Sequence, residues 1–151
     1  MSGNPLVFNS VSLKLSNDTI NLSSDTFYME LVTSVPAASS ATRSNIASTT
    51  VPTAGSSYVA KQLTGKTVTT FGTGGSKLVF DDPIWTGLYA NPQVTITGGI
   101  IIKGSTSAIN PTDDLLCYLP ILGGDHQPPL SVGSDLTLPF DPNGALTIEP
   151  V

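Results

Sequence analysis

The feature that most constrains the fold of this chain is a series of short apolar segments with a period of two. In TFYMELVTS (26–34), Phe27, Met29 and Leu31 occupy every second position. A period of two places alternate residues on opposite faces of a β-strand. Similar segments rich in β-branched residues recur along the chain at 57–63, 66–72, 76–81, 93–97, 99–104, 114–121, 134–140 and 145–150.

Turn-forming residues separate these segments, and together they predict the fold class. Gly, Pro, Asn and Asp lie between the segments, and the glycines of GTGGS (72–76) suit a hairpin loop. A chain of 151 residues fits one domain. We therefore expect a single-domain, all-β fold: an antiparallel β-sandwich or a jelly-roll-like barrel. The opening VFNSVSLKLSNDTI (7–20) suits either a short N-terminal helix or a strand.

Two stretches lack strand periodicity and are candidates for contact with a partner. Residues 35–56 form a long Ala/Ser/Thr/Pro segment, which we interpret as an extended contact loop. Residues 1–10 are interpreted as an N-terminal arm. Polar segments of this kind can become ordered on binding.

Composition and charge argue against several classes of function. Charged residues make up 11% of the chain, against roughly 25% in ordinary soluble domains, which suits a surface that meets another protein. Six scattered basic residues and a net charge of −5 give no basic patch for nucleic acid. We also expect no membrane span and no secretion signal.

Residues capable of catalysis or metal binding are few. His126, the only histidine, lies beside Asp125 in a Gly- and Pro-rich loop and would need a serine to form a hydrolytic triad. The lone Cys117 lies among apolar residues and is interpreted as a buried small side chain. One Cys and one His cannot form a zinc site. The sequence therefore predicts no enzyme, no metal and no cofactor.

Two carboxylate pairs need a separate explanation. Asp81-Asp82 precedes Pro83, and Asp113-Asp114 follows Asn110-Pro111. Neighbouring residues on a strand point to opposite faces, so neither pair alone forms an acid and base couple. Asp side chains hydrogen-bond local backbone amides, and proline fixes φ, which favours strand-to-strand corners. Calcium binding and catalysis remain the alternatives, and Trp85 is expected to be buried in the core just after the first corner.

An ordered set of motifs resembles a family of small structural proteins of tailed bacteriophages. The matching segments are SSDTFYMELVTS (23–34), QLTGKTV (62–68), FDDPIWTGL (80–88), ITGGIIIKGS (96–105), DLLCYLPI (114–121) and LPFDPNGALTI (138–148). They cover nearly the whole chain. The sequence departs from the family pattern by inserting LYANPQV (88–94) and by an opening element that alternates more like a strand.

The resemblance implies a virion protein without enzymatic activity. Its expected role is that of a cement or decoration protein on the outside of the assembled shell of major capsid protein, as a dimer or trimer made in the host cytoplasm. A neck, tail or fibre-tip module that binds a receptor or carbohydrate is the alternative. The motifs match structural positions: the turn and core residues are Asp81, Asp82, Pro83, Trp85, Asn143 and Gly144. Expected capsid contacts are Asn4, Pro5, Arg43, Asn45 and Ile46.

Overall fold

The computed structural model describes residues 5–105, 109–121, 123–131, 133–141 and 144–148. Within these ranges β-strands make up most of the regular secondary structure, so the all-β prediction is confirmed. The choice between sandwich and barrel stays a prediction. The strands are β1 (Leu6–Val7), β2 (Thr26–Val32), β3 (Lys61–Gln62), β4 (Thr67–Phe71), β5 (Gly75–Val79), β6 (Ile84–Leu88), β7 (Gly98–Gly104), β8 (Leu115–Pro120), β9 (Ser134–Thr137) and β10 (Leu146–Ile148). The helices are α1 (Val11–Ser16) and a 3₁₀ helix (Arg43–Thr49).

The strands form three antiparallel sheets. The largest has the order β1-β8-β7-β2-β3, the second has the order β10-β5-β4, and the third pairs β6 with β9. The long central pairing of β2 with β7 runs from Thr26 opposite Gly104 to Val32 opposite Gly98. β4 and β5 form the hairpin that GTGGS predicts, with Gly72 and Gly74 at positive φ.

Strand β2, which lies between β7 and β3, is buried on both of its faces. On one face, Phe27 packs edge-on against Phe80, with ring centroids 5.9 Å apart. On the other face, Glu30 lies beneath the 3₁₀ helix and receives two hydrogen bonds from Arg43. A strand covered on both faces needs a nearly continuous apolar sequence, which is what TFYMELV provides apart from its glutamate.

The segment 35–56 does not project from the molecule as an extended loop. It folds back along the end of β2, where the Thr33 N–H donates to Thr49 O and the Val51 N–H donates to Leu31 O, at 2.7 and 3.0 Å. Ile46 and Val51 are almost fully buried. These two side chains therefore help to cover the second face of the large sheet. A contact role for the exposed residues of the segment stays a prediction.

The beginning of the chain is also part of the fold from residue 5 onward. β1 pairs with β8, and Phe8 is 1% exposed. Residues 11–16 of the ambiguous opening segment form a helix, of which Val11 faces the core. Val7 belongs to β1 and lies outside this helix.

Two strand predictions need correction, and one strand was missed. The segment 57–63 keeps only β3, because Tyr58 instead turns into the core, where its hydroxyl accepts the Leu31 N–H at 2.8 Å. The segment 93–97 forms only an isolated bridge between Ile96 and His126, and the prolines around both partners remove ladder donors. β6 was not predicted, since its alternation is interrupted by a bulge between Trp85 and Leu88.

Candidate binding groove between two sheet edges

Trp85 is a core anchor, as the sequence predicts. It lies on β6 and is 2% exposed. Its indole Nε1 donates to the carbonyl oxygen of Val59 at 2.8 Å. Because a buried indole N–H needs an acceptor, this bond lets the ring be buried without leaving its polar edge unpaired.

Asp81 and Asp82 each tie their corner to a different segment of the chain. Asp81 donates its N–H to Thr64 O at 2.9 Å, and its carboxylate accepts from Thr64 Oγ1 at 3.1 Å. Gly65 lies directly against this carboxylate, and a Cβ there would come within 2.3 Å of it. Asp82 Oδ1 accepts the N–H of Phe140 at 2.8 Å. The corner thus joins distant segments of the chain. The sequence had instead predicted hydrogen bonds from these carboxylates to backbone amides nearby in the sequence.

The second acidic pair is likewise structural. Asp113 Oδ2 accepts the Asn110 N–H at 2.5 Å, which closes the predicted turn. Asp114 forms an ion pair with Lys14 of α1 at 2.6 Å. Across the described ranges, no group of three or more His, Cys, Asp or Glu side chains is arranged to hold a metal ion.

The predicted contact residues Arg43, Asn45 and Ile46 lie together on the 3₁₀ helix. Ile46 is 1% exposed, so its side chain packs in the core and is not presented to a partner, contrary to the expected contact role. Asn45 Oδ1 accepts from the N–H groups of Ala41 and Thr42, both at 3.0 Å. Asn45 and Arg43 therefore hold the helix in place, through a cap and an ion pair respectively.

The Arg43–Glu30 ion pair is the feature that sequence analysis missed. The Glu30 side chain is 3% exposed and accepts hydrogen bonds from Arg43 Nε at 2.8 Å and from Arg43 Nη2 at 2.6 Å. These hydrogen bonds raise the pKa of Arg43, and burial raises that of the nearby Tyr58 phenol well above its ordinary value. The available clue was a lone acid in a strand whose two alternating sets are otherwise apolar, since a buried carboxylate needs a paired cation.

His126 and Cys117 are both held by backbone structure. The His126 N–H and carbonyl bridge to Ile96 at 3.0 and 2.7 Å. Its Nε2 is buried without a hydrogen-bond partner among the described residues, and burial lowers its pKa. Cys117 is 2% exposed and burial raises its pKa to about 12, so the buried interpretation is confirmed.

An apolar groove of about 440 Å³, hereafter the edge groove, opens on the surface of the molecule. One wall is formed by Val7 of β1 and by Pro5, the residue that precedes this strand. The opposite wall is 144–147, which includes the start of β10. Leu119 and Pro120 at the end of β8, and the segment 139–141, complete the lining. A cavity of this size is within the range of ligand sites, roughly 300–1,000 Å³.

The edge groove brings together residues that the sequence treated as separate. Pro5 was expected to contact a partner, and Gly144 was expected to form a turn. Gly144 has φ +95° and donates to Asp141 O at 2.7 Å, as a turn glycine should. Asp82 accepts the N–H of Phe140, which lines the groove, and so holds this part of the lining in place. Asn4 and Asn143 lie outside the described residues.

The groove is bordered by the outer strands of two sheets. β1 is the end strand of the large sheet and β10 is the end strand of the second sheet. Val7 is 48% exposed, and Pro5 and Pro139 are exposed as well. An outer strand carries backbone groups without a neighbouring strand, so such a border is suited to pairing with another chain.

Comparison with known proteins finds no matching family model, curated protein or solved structure. Within the part of the chain that the structure describes, no helix has the length and apolar character needed to cross a membrane.

Proposed function

We propose that this protein is a structural component of a bacteriophage virion, a non-enzymatic cement or decoration protein that binds the outside of the assembled capsid shell. The observation that carries the proposal is the edge groove, an exposed apolar surface bordered by two outer strands on a fold whose central sheet is covered on both faces. The groove supports a binding role. The resemblance in sequence motifs supplies the class of partner, the major capsid protein.

A protein of this kind stabilises the shell because its binding is linked to shell assembly. A protein that binds the assembled shell and not the separate subunits stabilises the shell by the free energy of each occupied position. Because the shell repeats the same binding position many times, these contributions add over all occupied positions. Low charge and exposed apolar side chains favour contact with protein over contact with nucleic acid.

The test is to locate the protein in particles of the phage whose genome encodes it. Quantitative mass spectrometry and cryo-electron microscopy should find copies distributed over the shell, in a number that scales with the number of capsid subunits. A few copies at the neck or tail would contradict the cement role and support the adhesion alternative. His126→Ala should assemble and protect shells like the wild type, whereas loss of phage growth with normal assembly would favour an enzyme.

A further inference from the structure

The direction of the backbone at β1 shows what kind of ligand the edge groove can bind. Phe8 N–H donates to Leu116 O, and Val7 is opposite Cys117 in the β1–β8 register. In an antiparallel pair, bonded and non-bonded positions alternate. The N–H and C=O of Val7 therefore point away from β8, toward the outer side of the sheet.

The side chains near this edge face the second sheet. Val7 and Cys117 are directly opposite, so their side chains are on the same face, and Cys117 Sγ contacts Ala145 O at 3.7 Å. Leu119 follows two residues later on that face and lines the groove with Phe140. At Val7 the outer edge of β1 thus offers one N–H and one C=O beside an apolar surface, the combination that binds an added strand. The next outward amide, that of Asn9, already donates to Ala38 O at 3.0 Å.

We propose that the edge groove binds an extended segment of the partner protein as an additional β-strand beside β1. Alternate side chains of this segment enter the groove and pack against Leu119, Phe140 and Leu146. The whole chain carries a net charge of −5. The bound segment is therefore apolar at alternate positions and free of acidic residues, because like charges repel, and it is able to carry a lysine or arginine.

A second copy of this chain fits the edge less well. Two copies would each bring a net charge of −5 to the contact, and like charges oppose association. β1 has only two residues and follows Pro5, which has no N–H, so any added strand forms few hydrogen bonds with it and depends mainly on apolar packing in the groove. The identification of the partner as the capsid subunit rests on the proposed function, whereas strand addition itself can be tested without it.

The first experiment uses the full-length protein and the capped peptide Ac-TVTVKVT-NH₂. Amide chemical shifts of Val7, Leu119 and Thr147 should change on titration. Two further peptides are N-methylated, each at one of the two sets of alternate residues. Only the peptide whose methylated amides face β1 should fail to bind. Val7→Lys should weaken binding about tenfold, the effect of losing one important contact. Val59→Lys, at a 61% exposed valine outside the groove lining, is the matched control and should bind like the wild type.

The second experiment measures cosedimentation with shells of the encoding phage that lack this protein. Val7→Lys should lose binding while Val59→Lys retains it. Equal behaviour of the two variants in both experiments, or indifference to N-methylation, overturns strand addition. Wild-type protein that binds the peptide but not the shells overturns the cement role and leaves strand addition standing. Dimers of the wild type that Val7→Lys dissociates would show that a second copy occupies the groove, which also overturns the proposal.

Discussion

The central β2–β7 pair and the edge groove both consist largely of apolar side chains, but they use them differently. Around β2, every apolar side chain is covered by another part of the same chain, on both faces. Around the groove, Val7, Pro5 and Pro139 remain exposed. Changes near β2 should therefore reduce the free energy of unfolding, and changes at the groove should reduce binding with little effect on folding.

The largest effect is expected at Trp85. Trp85→Ala removes a buried indole and leaves a cavity, which should lower the free energy of unfolding by about 4 kcal/mol. Trp85→Phe keeps most of the volume but loses the hydrogen bond to Val59, and should cost less. Urea denaturation monitored by circular dichroism measures both. Equal losses for the two variants would show that the hydrogen bond, and not the packing, is the main contribution.

A change of Arg43 tests whether the 3₁₀ helix belongs to the core. Arg43→Met leaves Glu30 buried without its cation, for an expected loss of about 3 kcal/mol, the lower end for a broken buried pair because Arg43 is partly exposed. Replacing both residues by Met should recover most of this loss. The control is Lys103→Met, which breaks a more exposed pair with Asp25 and should cost less than about 1 kcal/mol. Equal losses for Arg43→Met and Lys103→Met would contradict the distinction.

Asp82 lies between the core around β2 and the edge groove. Asp82→Ala removes the acceptor for the Phe140 N–H, which should cost about 1 kcal/mol. Because Phe140 lines the groove, peptide binding should weaken as well. Asp82→Asn retains an acceptor oxygen and serves as the control in denaturation and in peptide titration. Unchanged binding by Asp82→Ala would show that the groove keeps its shape without this support.

The smallest effect is expected from pH at His126. Burial lowers the pKa of His126 in the folded protein, so below about pH 6.5 the unfolded chain binds more protons than the folded one. Stability should therefore fall as pH falls through this range. Tm measured at pH 8 and pH 5 should differ less in His126→Gln than in the wild type. An identical pH dependence of the two proteins would show that His126 does not contribute.

Local patterns predicted the strands well and the long-range contacts poorly. The period of two predicted β2, β7 and β8, and the glycines near 72–76 predicted a hairpin, because these features depend on neighbours in sequence. The Glu30–Arg43 pair and the Asp82–Phe140 bond join residues that are 13 and 58 positions apart. No local pattern specifies such partners. The groove itself depends on two sheet ends lying side by side, which only the fold determines.

Cys117 gives the molecule a built-in chemical reporter. Its sulfur is covered by Ala145, just before β10, and its raised pKa keeps it protonated and unreactive at neutral pH. A thiol reagent can modify it only when the surrounding structure opens, for example when the segment that contains Ala145 moves away from β8. The modification rate of the wild-type protein therefore measures how often this end of the molecule opens. A ligand that holds the two sheet ends together would protect the thiol without touching it.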